Sequence, residues 1–179
     1  MQKHRLIFCL SVLLIFSALV AGCKVVEDLL TFRLNNETTL VMPSAVGINT
    51  PFSVPTPEVT SNASQTFKSN NAETSQVKNI ILEKLNLTIT SPSQANFQFL
   101  KSIKIYISAN GQPEKLLAYK TDIPTNAGTT LTLDTTGEAV DIYLKQEKYS
   151  LRTEVVTRQA VAYETIINAQ MTFRVTANI

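Results

Sequence analysis

Ile167-Asn168-Ala169-Gln170-Met171-Thr172-Phe173-Arg174-Val175-Thr176-Ala177 is the stretch that decides the fold. Apolar side chains take every odd position and polar ones every even position. Successive side chains of an extended chain point to opposite faces. A period of two is therefore a strand with one face in a core and the other in solvent.

The same period recurs upstream. Phe32, Leu34, Leu40 and Met42 alternate with Arg33, Asn35, Glu37 and Thr39. Leu85, Leu87 and Ile89 alternate with Asn86, Thr88 and Thr90, and Ile80 and Leu82 lie in the opposite phase, which predicts a bulge near Glu83-Lys84. Ile103, Ile105 and Ile107 make a further strand, Asn110-Gly111 signals a hairpin, and Leu116 to Lys120 returns. Leu131 and Leu133, then Tyr149, Leu151, Thr153 and Val155, complete the set. Strands separated by turn signals, with no strand-helix-strand rhythm, predict an all-β fold of antiparallel sheets. The expected architecture is a two-sheet β-sandwich, immunoglobulin-like in general plan, with each sheet burying one face.

One short helix is expected over 136–146. Thr135-Thr136-Gly137-Glu138 reads as a capping box, and Asp141 and Lys145 form an acid-first i,i+4 pair. Pro43, Pro51, Pro55 and Pro57 punctuate a Ser/Thr/Asn-rich stretch to about Gln76, in which Phe52-Ser53-Val54 can be only a short edge strand. A helical turn is expected within 72–81.

The beginning of the chain has a different character. Lys3, His4 and Arg5 precede an apolar run from Leu6 to Val20. At about 1.5 Å per residue, that run reaches roughly 22 Å, short of the ~30 Å hydrocarbon core of a bilayer. Its length and basic start describe a signal peptide. The run ends in Val20-Ala21-Gly22-Cys23, which resembles the lipobox of bacterial lipoproteins. That resemblance implies cleavage before Cys23 and acylation of Cys23. The expected organisation is a signal peptide over 1–22, a lipidated Cys23 with a short tether over 23–30, and one β-sandwich domain over 31–179. Lys24 follows the cysteine where an Asp would mark inner-membrane retention in enterobacterial lipoproteins, so the resemblance implies the outer membrane.

Cleavage changes the composition that function must draw on. Removing 22 of 179 residues leaves 157, and the 16 basic residues fall to 14 against 14 acidic ones. A near-neutral chain with no basic tract gives no grounds for nucleic-acid binding. His4 is the only histidine, Cys9 leaves with the signal, and there is no Trp. That excludes a Ser-His-Asp triad, a Cys-His pair and any zinc site built on His or Cys. With five glycines and no GxGxxG or P-loop, phosphate cradles are absent too. The expectation is a protein that is not an enzyme and takes no cofactor or metal.

Leu85 to Pro92, Asn96 to Ile107 and Pro51 to Pro57 together resemble a group of small Gram-negative envelope lipoproteins. The resemblance implies a shared fold and an envelope location, and brings no catalytic residue with it.

Several side chains invite two readings. Phe97, Phe99 and Leu100 read as core filling at a strand entrance, against the lining of a groove. Tyr106 falls in the outward phase and is a candidate contact residue. Asp134-Thr135-Thr136 resembles an O-glycosylation acceptor, weighed against Thr135 as the helix cap. Two function classes follow. One is a lipid-anchored, non-catalytic interaction or structural module that meets the membrane through its anchor and a further envelope protein as partner. The other is a carrier that holds a small apolar or glycan ligand between the sheets.

Overall fold

A computed structural model describes residues 31–44, 47–54 and 56–177. The signal peptide, the lipobox residues Val20, Ala21 and Gly22, Cys23 and the tether lie outside the described residues.

Nine strands form: β1 (Thr31–Met42), β2 (Pro51–Val54), β3 (Val59–Thr60), β4 (Val77–Ser91), β5 (Leu100–Ala109), β6 (Gln112–Lys120), β7 (Thr130–Thr135), β8 (Lys148–Thr157) and β9 (Thr165–Ala177). Two short helices, α1 (Ala63–Ser69) and α2 (Asp141–Leu144), and a 3-10 turn at Phe97–Phe99 complete the described elements. The hydrogen-bonded order is β1-β9-β4-β7-β6-β5-β8-β2, with β3 also on β8, and every pairing of named strands is antiparallel. The sheet is continuous and curls into a half-barrel.

The deciding stretch becomes β9. It runs between β1 and β4, and every odd residue from Thr165 to Ala177 is buried. The curl is made at β7. Thr130–Leu133 pairs with β4 on one side, and Asp134 and Thr135 pair with Tyr119 and Ala118 of β6 on the other. One strand thus passes from one half of the sheet to the other, and both halves send side chains into one core. Leu85, Leu87, Phe173 and Val175 come from the first half, and Ile105, Ile107, Leu117 and Tyr149 from the second.

The expected bulge is present. The β4–β9 register slips between Leu82 and Lys84, which returns Leu85 to the buried face occupied by Ile80 and Leu82. The Asn110-Gly111 hairpin is present as well, with Gly111 at φ 72°, a backbone region costly for a side chain with a Cβ. Phe52-Ser53-Val54 lies in β2, a four-residue strand at the end of the path.

The helix expected over 136–146 contracts to the four residues of α2. Gly137 at φ 70° stops a helix from running on from Thr135, which instead ends β7. The Thr136 hydroxyl turns to the Leu116 and Leu117 carbonyls, and Glu138 pairs with Lys115 at 2.7 Å. Asp141 does not reach for Lys145. Its carboxylate accepts from the Ile80 N–H at 3.2 Å, while Val140 N–H donates to Ile80 O at 2.8 Å. A second slip in β4, around Asn79 at φ 52°, frees those backbone groups, and residues 139–141 satisfy them. The helical turn expected within 72–81 is a turn at Glu73–Val77, after which β4 begins. Helix α1 has no counterpart in the sequence reading. It is seven residues long and buries only Ala63 and Phe67, an i,i+4 pair too brief to register as a period.

Candidate functional site

Strand direction gives the molecule two ends. Thr31 opens β1 beside Thr176, near the end of β9, so the described chain enters and leaves at the same end. This base also carries α1, the Asn110-Gly111 hairpin and α2. The opposite, far end carries the segments that join β1 to β2, β4 to β5, β6 to β7 and β8 to β9.

Exposed apolar side chains concentrate at the far end. Val41 and Ile166 face each other across the β1–β9 ladder one residue from its end, and both are exposed. Tyr163 sits in the segment leading into β9 and is 56% exposed. Ile48 bridges to Thr157 at the end of β8 and is 49% exposed. Of the other exposed large apolar residues, Ile142 lies in α2 at the base and Tyr119 in β6.

Two clefts open at the far end. One, of about 560 Å³, is lined by Asn49, Lys101, Asp122, Ile123, Thr125 and Arg158. A smaller one, of about 160 Å³, lies against Phe99 and residues 159–163. Phe97, Phe99 and Leu100 are themselves buried, the two rings 6.4 Å apart, so their core reading holds.

A further cleft, of about 700 Å³, follows the seam where the curl brings β1 towards β3. No ladder joins these strands. Asn36 spans the gap instead. It is an inward residue of β1, and its amide donates to both the Thr60 and Ser61 carbonyls at 3.0 Å. Its Oδ1 is buried without a partner among the described residues. Around it stand Asn35, Glu37, Glu58, Asn62, Gln170 and Thr172, a polar rim with Glu58 3.6 Å from Lys148. Tyr149 lies beneath, its hydroxyl 3.8 Å from Met171 Sδ, and burial pushes its phenol well above the usual range.

Tyr106 points outward from β5, as its phase predicts, and its ring face is already occupied. The Arg152 guanidinium stacks 4.1 Å from the ring centroid and makes a forked bond to Glu114, with a further contact to Glu154 at 3.3 Å. Arg152 in turn holds the Glu114 carboxyl below its ordinary range. On the opposite half of the sheet, Arg33 bonds Glu83 at the bulge at 2.8 Å and lowers its carboxyl in the same way. The Thr135 hydroxyl is not the helix cap expected of it, since α2 begins later and Thr136 makes the local bonds.

No group of three or more His, Cys, Asp and Glu among the described residues could hold a metal ion. No helix among them is long and apolar enough to cross a membrane.

Comparison with known proteins yields little. No protein-family model matches the chain. No curated protein matches it either. Among solved structures, a chain of Desmodium yellow mottle tymovirus is similar over 83% of this chain and 89% of its own, at 10% identity and a TM-score of 0.25. A likeness that loose carries no argument about fold or function.

Proposed function

We propose that the chain is a lipid-anchored envelope protein, held in the outer membrane through Cys23, that works as a non-catalytic interaction module and meets an envelope protein partner with its far end. The observation that carries this reading is the polarity of the fold: Thr31 enters at the base, and the exposed Ile48, Tyr163 and Val41–Ile166 group sits at the other end. At about 3.3 Å per residue, the twelve residues of β1 lift that end roughly 40 Å above the point of entry. A tether of about eight residues adds at most roughly 28 Å. The far end is thus presented to whatever stands a few nanometres from the bilayer. Two or three acyl chains on Cys23 would hold the protein there without appreciable exchange.

Packing supports a module over a carrier. A carrier needs space between the halves of the sheet, and Leu87, Ile105, Ile107 and Phe173 meet there. We read those halves as the two layers of a sandwich joined at β7, the architecture the alternation predicts. The Tyr106 face contributes less to this function, because Arg152, Glu114 and Glu154 already satisfy one another over it.

A photo-crosslinking residue placed at Tyr163, and separately at Ile142, tests the reading in cells. Adducts to an envelope protein are expected from position 163 and not from 142. The reverse pattern overturns it. Intact mass of the same protein should show a chain that begins at an acylated Cys23, and an unmodified Cys23 would remove the anchor from the proposal.

A further inference from the structure

The far-end cleft of about 560 Å³ has walls built from the backbone outward. Ile123 is buried, its N–H donates to Lys101 O at 3.1 Å, and its carbonyl accepts from Arg158 Nη2. Arg158 N–H donates to Phe99 O at 2.8 Å, and Asn49 N–H to Thr157 O at 2.8 Å. The ends of β5 and β8 and the segments around Asn49 and Asp122 are thereby fixed to one another, which sets Arg158 and Lys101 in one concave surface. The Ile123 carbonyl holds one arm of the guanidinium, and Nε is buried without a hydrogen-bond partner among the described residues.

Neither Arg158 nor Lys101 forms an ion pair among the described residues. Several other cations on this protein do pair with carboxylates, as Arg33, Lys115, Lys120 and Arg152 show. A guanidinium cannot shed its charge by losing a proton, so a half-buried one with a buried, unpartnered Nε favours an anion drawn in from solvent. Asp122 also lines the cleft. Two cations and one carboxylate leave a net charge of about one positive unit. That balance suits a monoanion and disfavours a dianion, which would overfill the charge and face Asp122.

We propose that this cleft binds a carboxylate group, held between Arg158 and Lys101, with Asp122, Asn49 and Thr125 placed to meet hydroxyl or amide groups on the same ligand. The proposal does not depend on how the chain is anchored. A sugar acid and the C-terminus of a peptide both present this chemistry, and a titration separates them.

Uniformly labelled protein is titrated with glucuronate, with N-acetylalanine and with inorganic phosphate, following backbone amide shifts. Saturable shifts at Lys101, Ile123 and Arg158 are expected from at least one carboxylate, glucuronate marking a sugar acid and N-acetylalanine a peptide terminus. Lys101→Ala leaves the fold intact and should weaken that binding about tenfold, the value of one hydrogen bond to a charged group. Asp122→Asn should bring phosphate up to the affinity of the carboxylate. Absence of saturable shifts from both carboxylates, tighter binding of phosphate by the unaltered protein, or binding unchanged in Lys101→Ala would each overturn the proposal.

Discussion

Asn36 is the residue on which the closure of this sheet turns. It breaks the alternation of β1, a polar side chain at an inward position between Leu34 and Leu40. Removing its amide leaves the Thr60 and Ser61 carbonyls without their donor, the bond to Ser61 being the buried one of the two. Asn36→Ala should therefore cost about 1–3 kcal/mol, read as a lower urea midpoint. The m-value should hold, because the rest of the core still unfolds as one. Tyr149, below the seam, makes a prediction with pH. Its buried phenol keeps its proton more tightly in the folded chain than in the unfolded one, where the ordinary value is about 10. The stability this confers is whole below that pH and is lost as pH rises beyond it. In Tyr149→Phe, the fall in stability above pH 10 should be shallower by roughly 1.4 kcal/mol per pH unit. Equal slopes would place the phenol in solvent.

Elements show what the sequence made legible and what it concealed. The long strands were legible because each buries one face along its whole length, and period two survives even the slip at Glu83-Lys84. Helix α1 was concealed because a single buried Phe67 and an Ala63 set no period. The capping box was misleading for a physical reason. Thr135-Thr136-Gly137-Glu138 has the side chains for a cap, yet Gly137 supplies a left-handed residue and the chain uses it to turn. Gly137→Ala should accordingly cost about 1 kcal/mol in thermal or urea unfolding, with no increase in helix signal. A gain in helicity would mean that the capping box is latent in the chain. The far-end cleft escaped sequence reading because Lys101, Asp122 and Arg158 come from three separate segments. The end of the β5–β8 ladder and the hydrogen bonds of Ile123 bring them together. Cys23 stood out through its own motif and owes nothing to the fold.

Across the whole molecule, the pairings that define the sheet are distant in sequence. Thr31 meets Thr176, and Val77 meets Ala177. Closing such loops costs chain entropy before any contact repays it, so refolding from urea should take milliseconds to seconds, as measured by stopped-flow fluorescence of the tyrosines. A microsecond phase that recovers the full native signal would contradict the topology. Charge adds an acid-side term. Arg33 and Arg152 hold Glu83 and Glu114 below their ordinary range, so what these pairs contribute is present above about pH 4.3 and fades as pH falls through the lowered values.

The antiparallel docking of β1 on β9 also has a mechanical meaning. β1 starts at the base and runs to the far end, where the proposed partner is met, and twelve residue pairs join it to β9. A pull on Thr31 away from the domain, resisted at the far end, acts along the strand axis. The bonds of the ladder then share the load at once, in shear, where a sideways pull would unzip them one by one. Such a protein would resist tension between bilayer and partner far better than its thermodynamic stability alone suggests.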